Sequence, residues 1–243
     1  MNIAAIIQAR MNSSRLPNKI LLELIDKTLL EHIIERVKKV SQIHQIIIAT
    51  TERKIDDQVE KLALKSQVKV FRGSEEDVLD RFIKAAQLNG AEIIIRITGD
   101  NPLIDNKIIQ DMIAEYEKEH CDYITVSGMP LGTSCELVTL EVLKKIYKEN
   151  LQLYHLEHVT FYIKENLEKF KTKYLKCEEP LKRPNYRLTV DTVEDYNLMK
   201  ELYQRFYKPN EIIDLREVIK ALDDNEELRR INIHIKQKKV TDI

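Results

Sequence analysis

The loop that follows residue 8 combines cations and hydroxyl groups at a spacing that suits a phosphate. Within residues 8–19 the chain carries Arg10, Arg15 and Lys19 together with Ser13 and Ser14. Arginine can fork onto phosphate oxygens, lysine adds a point charge, and backbone N–H groups of such a loop can surround an anion. The loop lacks the glycine-rich Walker pattern, which argues against a P-loop fold. An ordinary solvated loop is the alternative, and this density of cations favours the phosphate site.

Two aspartates follow segments that read as strands. Asp100 lies in ITGDNPL, where Gly99 and Pro102 predict a tight turn, and Asp191 follows a predicted strand over residues 186–190. Each alone could be a turn residue or a helix cap. Carboxylates at strand ends are also natural ligands for a Mg²⁺ ion that bridges phosphates. Together with the cationic loop, the two aspartates predict a site for a metal-bound triphosphate.

A third polar segment begins at residue 71 and reads FRGSEEDVLDR. Ser74 precedes Asp77 by three residues, a spacing that predicts a helix N-cap at Ser74. Arg72 has no such local role in the pattern. We therefore expect Arg72 to point at a ligand.

Apolar periodicity indicates the elements that must position these residues. Strands are predicted at 3–8, 45–50, 68–71, 92–97 and 122–126, and helices at 28–40, 57–65, 75–88 and 105–119. After a less regular segment at about 127–185, which includes helical patterns at 140–150 and 155–166, a helix is predicted at 193–206 and an amphipathic tail at 211–222. This alternation predicts an α/β fold with a mostly parallel sheet and helices on both faces. Such sheets bind ligands beyond the carboxyl ends of their strands, where the polar loops lie.

Length and composition narrow the class of protein. The 243 residues predict a single α/β domain over 1–243, and a net charge of -1 argues against a nucleic-acid partner. Apolar runs are too short for a bilayer, which needs about 18 residues, and the N-terminus lacks a basic region, so neither membrane association nor secretion is expected. The three cysteines show neither zinc nor disulfide spacing. These features predict a reduced, cytoplasmic protein.

Six motifs in order make the chain resemble a known family. They read IIQARMNSSRLPNK, VFRGSEEDVLDRF, RITGDNPLID, LGTSCE, EHVTFYI and RLTVDTVEDY, and span residues 3–196. This set resembles the cytidylyltransferases related to CMP-sialic acid and CMP-Kdo synthetases, and is most similar to the spore coat polysaccharide biosynthesis protein SpsF branch. The sialic acid enzymes carry glycines where this chain has Met11, Asn12 and Ser13. That departure argues against sialic acid itself as the acceptor.

The resemblance implies a Rossmann-like nucleotidyltransferase fold, a homodimer, Mg²⁺ as cofactor, and CTP with a small sugar as substrates. A sugar hydroxyl is expected to attack the α-phosphorus while pyrophosphate leaves, with an acidic nonulosonate-like acceptor destined for a surface polysaccharide or glycan. The implied nucleotide-binding residues are Gln8, Ala9, Arg10, Ser13, Ser14, Arg15, Lys19, Arg72, Thr98 and Asp100. The implied catalytic set is Arg10, Lys19, Asp100 and Asp191, of which Asp100 and Asp191 hold the metal.

The acceptor is expected to bind in the second half of the chain. Because the first loop and Asp100 are assigned to triphosphate and metal, other groups must bind the sugar. Glu136, at the end of LGTSCE, and His158, in EHVTFYI, are the predicted acceptor-binding residues. The alternative is that Glu136 pairs with a lysine and His158 packs on a helix face.

Two other functions compete with cytidylyl transfer. A nucleotide-sugar-dependent glycosyltransferase of related fold usually holds its metal with a D-x-D motif, which this chain lacks; Asp56-Asp57 has the wrong spacing. A non-catalytic nucleotide-binding or scaffold subunit would be indicated by loss of a metal aspartate. Both Asp100 and Asp191 are present.

Overall fold

A seven-stranded sheet forms the centre of the structure, a computed structural model that describes residues 1–238. Its strands are β1 (Ile3–Gln8), β4 (Gln45–Thr51), β5 (Lys69–Gly73), β6 (Ile93–Thr98), β7 (Tyr123–Ser127), β8 (Glu136–Thr139) and β9 (Thr172–Lys176), and β2 (Glu23–Leu24) with β3 (Lys27–Thr28) forms a separate pair. The order across the sheet is β5-β4-β1-β6-β8-β7-β9. Every strand of this sheet is parallel to β1 except β8, which pairs antiparallel with β6 and β7. The predicted mostly parallel α/β sheet is confirmed.

Helices cover both faces of the sheet, as the sequence predicted. They are α1 (Leu29–Lys38), α2 (Asp57–Lys65), α3 (Val78–Leu88), α4 (Asn106–Glu119), α5 (Leu140–Ile146), α6 (Leu153–Glu157), α7 (Phe161–Glu165), α8 (Val193–Phe206), α9 (Leu215–Asp224) and α10 (Glu226–Arg230). Helices α1, α2, α4, α8 and α9 share one apolar cluster with Ile93, Ile95 and Ile97 of β6. Helices α3, α5 and α7 share the other with Ile94. Alternate residues of a buried strand thus supply two cores.

A close approach between β1 and β6 fixes the edge where the polar loops lie. The N–H of Gly99 donates to the carbonyl of Gln8 at 2.8 Å, and Gln8 pairs in register with Thr98. A Cβ at position 99 would lie only 2.9 Å from that carbonyl oxygen, so a side chain there would force the strands apart. Glycine therefore allows the turn that presents Asp100 beside the end of β1.

The second half of the chain departs most from the predicted elements. The predicted strand at 186–190 is wrong: within it only Arg187 forms a bridge, to Leu131. Its backbone instead bonds to loops, with the N–H of Leu188 donating to Leu131 and that of Val190 to Asp100. Strands β8 and β9 were not predicted, because the first is short and the second carries three lysine or threonine residues on a largely exposed edge.

Two further features of the helices in this half of the chain differ from what the sequence suggested. The expected helix at 155–166 is split into α6 and α7 by a turn at which Val159 has φ 30°. Thr192, rather than Asp191, caps α8, since its hydroxyl accepts from the N–H of Asp195. Among residues 1–238, none of the helices has both the length and the apolar composition needed to cross a bilayer.

Candidate active site

Lys19 lies between the two predicted metal-binding aspartates. Its Nζ is 2.7 Å from Oδ2 of Asp100 and 2.7 Å from Oδ1 of Asp191. Lys19 opens a short 3₁₀ helix after the cationic loop, Asp100 follows β6, and Asp191 precedes α8. The N–H of Val190 donates to the carbonyl of Asp100 at 2.9 Å, which joins the two carboxylate-bearing segments directly. Three distant parts of the sequence therefore meet at the carboxyl edge of the sheet.

Further cations surround Asp191. Arg15 reaches its Oδ2 at 3.0 Å and Arg187 reaches the same atom at 2.8 Å. Burial would raise the pKa of Asp191, but Lys19, followed by Arg15 and Arg187, outweighs burial and lowers it. Burial likewise disfavours the charged form of Lys19, and Asp100 and Asp191 reverse that effect and raise its pKa. The site thus holds opposite charges that stabilise one another.

This arrangement fits a Mg²⁺ ion that is shared with a substrate. In the part of the chain that the structure describes, no group of three His, Cys, Asp or Glu side chains could hold a metal. The ammonium of Lys19 nevertheless shows that oxygens of Asp100 and Asp191 converge on one cation. Mg²⁺ usually takes one or two carboxylates and completes its shell with phosphates and water. A two-carboxylate site of this kind can hold Mg²⁺ once a triphosphate is present.

The cationic loop is fastened to the sheet by a buried carboxylate. Asp56 accepts from the N–H of Met11 at 2.7 Å and from the hydroxyl of Thr51. Although Asp56 occupies the N-cap position of α2, its side chain makes no capping hydrogen bond there. Ala9 is buried, and its N–H donates to the carbonyl of Ala49, so this N–H already has a hydrogen-bond partner in the structure.

Arg10 pairs with Glu157 rather than with either of the two aspartates. Its Nη2 lies 3.3 Å from Oε1 of Glu157 on α6, so the pair spans the space between the cationic loop and the second half of the chain. In the same loop Ser13 is half-buried and Ser14 is exposed. Thr98 is half-buried at the end of β6, where its hydroxyl accepts from Asn101 at 2.7 Å.

Glu136 is the centre of a buried network rather than a free acceptor of hydrogen bonds. Arg96 and Lys164 each reach it within 2.7 Å, and the hydroxyls of Tyr123 and Thr160 each donate to it at 2.6 Å. Only 7% of Glu136 is exposed, so direct contact with a sugar is not open to it in this structure. Burial would raise its pKa, but the charges of Arg96 and Lys164 outweigh burial and lower it well below 4.5. The alternative role, pairing with a lysine, is the one observed.

The network around Glu136 continues to the end of β1. Arg96 donates from Nη2 to Oε1 of Gln8 at 3.2 Å, while its buried Nε has no partner among the described residues. His158 is half-buried near Arg96, and burial, followed by the charge of Arg96, lowers its pKa. Gln8, Arg96 and His158 therefore lie near one another close to the carboxyl ends of β1 and β6. The region between these three residues and the Asp100–Asp191 pair is called the crevice below.

Arg72 is not brought into contact with the other predicted site residues. Its guanidinium binds Asp57 and Glu60 of α2 at 2.7 Å each and donates to the carbonyls of Thr51 and Arg53. These contacts supply the structural role that the sequence pattern did not show. Ser74 also differs from its prediction: Asp77 caps α3, and the Ser74 hydroxyl accepts from the Asp77 N–H.

Four site residues were not singled out from the sequence. Arg96 and Glu157 shape the crevice, and Arg187 and Asp195 support Asp191. A charge inside the apolar strand IIIRIT was a signal for Arg96, since strand charges are rarely buried without a partner. The spacing of Thr192 and Asp195 is typical of a helix N-cap, and it carries no signal for the contact between Asp195 and Arg187.

Comparison with known proteins identifies the family to which the chain belongs. A sequence model described as cytidylyltransferase matches residues 4–240. The chain is 40% identical over 210 residues to the spore coat polysaccharide biosynthesis protein SpsF of Bacillus subtilis, covering 84% of this chain and 87% of SpsF. It is 35% identical to a cytidylyltransferase from Leptospira borgpetersenii serovar Hardjo-bovis, whose structure aligns with TM-score 0.89 over 98% of this chain and all of that chain.

A more distant structure supports the fold alone. A CMP:2-keto-3-deoxy-manno-octonic acid synthetase complexed with CTP aligns with TM-score 0.64 at 17% identity, covering 84% of this chain and 99% of that one. The sequence match over residues 4–240 and the overall fold agree. The chain belongs to the cytidylyltransferase family.

Proposed function

We propose that this chain transfers CMP from CTP to a small acidic sugar, with release of pyrophosphate and with Mg²⁺ as cofactor. One observation carries the proposal: Asp100 and Asp191 converge on the same cation position, with Arg15 beside them. A triphosphate brings negative charge, and a magnesium triphosphate brings a cation to the carboxylates as well. The site offers both kinds of partner within one cluster.

The chemistry requires stabilisation of charge more than a covalent intermediate. A hydroxyl of the acceptor attacks the α-phosphorus and loses its proton to water, the bond between the α-phosphorus and the oxygen that bridges to the β-phosphate breaks, and pyrophosphate leaves. When bound, Mg²⁺ neutralises charge on the phosphates and orients them. On nucleotide binding, Lys19 moves from Asp100 and Asp191 to the triphosphate, and Arg15 moves from Asp191. Arg10 likewise moves from Glu157 to the triphosphate.

The choice of CTP rests on the relatives. The matching family is described as cytidylyltransferase, and the distant structural neighbour is named as a complex with CTP. The SpsF relative is named for spore coat polysaccharide biosynthesis, which is consistent with a sugar acceptor and a role in a surface polysaccharide. We extend both features to this chain as part of the proposal, together with the homodimer and the cytoplasmic location expected from the sequence.

The acidic character of the acceptor is supported by the charges near His158. Arg96 and Lys164 carry two positive charges against the one carboxylate of Glu136. Within this group one positive charge remains to attract an anionic group, and His158, whose pKa is lowered by burial and by Arg96, can hydrogen-bond a hydroxyl.

A pyrophosphate-release assay tests the proposal. The protein is incubated with Mg²⁺ and each of the four nucleoside triphosphates, with Kdo, sialic acid and neutral sugars as acceptors, and CMP-sugar is measured by mass. Pyrophosphate and CMP-sugar should appear with CTP and an acidic sugar. Release of a nucleoside diphosphate from a nucleotide sugar would instead identify a glycosyltransferase. Binding of CTP without turnover across a wide acceptor panel would favour a non-catalytic subunit.

A further inference from the structure

Arg187 differs from the other cations around Asp191 in what holds it. Lys19 and Arg15 belong to the cationic loop and its 3₁₀ helix, and both are expected to turn toward a triphosphate. Arg187 lies four residues before Asp191 and donates to its Oδ2 at 2.8 Å. It also forms a two-point contact with Asp195, from Nε at 2.8 Å and from Nη2 at 2.9 Å. Of the described cations that contact Asp191, only Arg187 is also held by a carboxylate outside the Asp100–Asp191 pair.

The Asp195 carboxylate is buried, and both of its oxygens accept hydrogen bonds from Arg187. The side chain of Asp195 has 0% exposure. Its Oδ2 also accepts from the backbone N–H groups of Asp191 and Thr192, at 3.0 and 3.1 Å. One carboxylate thus holds both the guanidinium that touches Asp191 and the backbone that carries Asp191. Two-point contacts of this kind set direction as well as distance.

The C-terminal segment completes the network from the other side. Nδ2 of the buried Asn232 donates to Oδ1 of Asp195 and to the carbonyl of Arg187, at 2.9 Å each. Gln237 accepts from Nη1 of Arg187. Residues more than 40 positions from Asp191 therefore contribute to its placement.

We propose that Arg187 is a positioning residue for Asp191, and that Asp195 and Asn232 hold it in place while Lys19 and Arg15 move to the triphosphate. The inference rests on the proposed function in one respect, the departure of Lys19 and Arg15 on nucleotide binding. Arg187 then keeps Oδ2 of Asp191 occupied and leaves Oδ1 directed at the crevice. The carboxylate meets a metal in one orientation rather than several.

The charge of Arg187 and its proposed positioning of Asp191 predict opposite effects of Arg187 substitutions on metal binding. Removal of a cation beside Asp191 should by Coulomb attraction tighten the binding of a divalent metal. Loss of orientation should weaken it, and lost support of a metal ligand typically costs about 10–100-fold in affinity. Arg187→Met removes charge and direction together, whereas Arg187→Lys keeps charge but cannot make the two-point contact.

The test measures Mn²⁺ binding by titration calorimetry in the presence of a non-hydrolysable α,β-methylene analogue of CTP. We expect Arg187→Met, Arg187→Lys and Asp195→Asn each to weaken Mn²⁺ binding at least about tenfold. Asp195→Asn should add little in the Arg187→Met background, because both changes break one network. Asn232→Ala should weaken binding in the same direction. Arg183→Met is the matched control, because Arg183 makes a two-point contact with Asp223 without touching Asp191.

A crystal structure of Arg187→Lys provides a readout that does not depend on nucleotide chemistry. We expect the Asp191 carboxylate to rotate or occupy two orientations in this variant. An unchanged carboxylate, or tighter Mn²⁺ binding in Arg187→Met, would overturn the positioning role. If the wild-type protein bound no CTP analogue, the proposed function would fail, and the orientation of Asp191 in the variant would still decide this inference.

Discussion

Nη2 of Arg10 lies 3.3 Å from Oε1 of Glu157, and this pair joins the cationic loop to helix α6. The resemblance assigns Arg10 to the triphosphate, so CTP must compete with Glu157 for the guanidinium. Both side chains are about one-third exposed, and such a pair contributes at most about 1 kcal/mol. The contact is weak enough for a nucleotide to break and specific enough to test.

Glu157→Gln should tighten CTP binding. Loss of the competing carboxylate frees Arg10, and we expect the Kd for CTP to fall by about two- to fivefold, the range set by a pair of this strength. Titration calorimetry with CTP and Mg²⁺ measures the change. Glu168→Gln, which removes an acidic charge elsewhere in the second half of the chain, should leave Kd unchanged. A weaker affinity in Glu157→Gln would mean that Glu157 directs Arg10 toward the nucleotide.

Asp100→Asn and Asp191→Asn should each abolish turnover and leave the fold intact. Each change removes one of the two carboxylates that converge on Lys19, and with it several kcal/mol of transition-state stabilisation, or at least about a thousandfold in kcat. Pyrophosphate release at saturating Mg²⁺ measures the loss, and circular dichroism monitors the fold. Asp111→Asn, at an exposed pair with Lys107, is the control. Near-normal activity in either variant would remove that aspartate from the metal site.

Lys19→Ala, Arg10→Ala and Arg15→Ala should weaken CTP binding or slow pyrophosphate release. Each charge-assisted contact to a phosphate contributes about 1.5–3 kcal/mol when desolvated, which corresponds to roughly 10–150-fold in affinity. Lys19 should have the largest effect because it is the most buried of the three. Lys107→Ala, at an exposed position of α4, is the control. Unchanged kinetics in all three variants would make the segment an ordinary surface loop.

The central elements could be predicted because local pattern and tertiary structure agree there. The apolar runs of β1, β4 and β6 are buried on both faces, and Thr28 with Glu31 forms a capping box where the predicted helix at 28–40 begins. The convergence of Lys19 with Asp100 followed from the rule that loops meet at the carboxyl edge of a parallel sheet. The same rule placed Asp191 nearby through a strand that does not exist, since residues 186–190 bond to loops.

The partners of buried charges could not be read from local sequence. Glu136 looked available because its neighbours Gly132 and Ser134 suggested a flexible loop, whereas Glu136 opens β8 and pairs in register with Arg96. Arg72 looked unexplained because Asp57 and Glu60 are distant in sequence and adjacent only after α2 packs beside β5. Such pairings depend on strand order and helix placement, which the chain specifies only once it is folded.

Glu136→Gln should destabilise the protein. Removal of one member of a buried ion pair typically costs about 3–5 kcal/mol, because the remaining charges lose their partner. The lowered pKa of Glu136 also fixes the pH dependence: its contribution is complete above the ordinary value of 4.5 and is lost as pH falls below 4.5 toward the folded pKa. Urea unfolding at pH 7 and pH 3.5 should show a larger difference between wild type and variant at pH 7. Glu141→Gln, at an exposed pair with Lys144, is the control.

Equal stabilities of wild type and Glu136→Gln at pH 7 would contradict the network observed around this carboxylate. If the variant folds, its kinetics should change for the acceptor and not for CTP, because Arg96 loses the partner that holds it near His158. A change confined to CTP affinity would instead place Arg96 on the nucleotide side of the crevice.

His158→Ala should raise the acceptor KM by about tenfold, the cost of one or two hydrogen bonds, and leave the KM for CTP unchanged. Burial and the nearby charge of Arg96 lower the pKa of His158 below 6.5, so the imidazole is neutral at pH 7 and acts as a hydrogen-bonding group. The acceptor KM should therefore not depend on His158 ionisation between pH 7 and pH 8. Kinetics with each substrate varied in turn measure both constants, and exposed His234→Ala is the control. If CTP affinity fell while acceptor kinetics did not move, His158 would belong to the nucleotide side and the division of the crevice between substrates would be wrong.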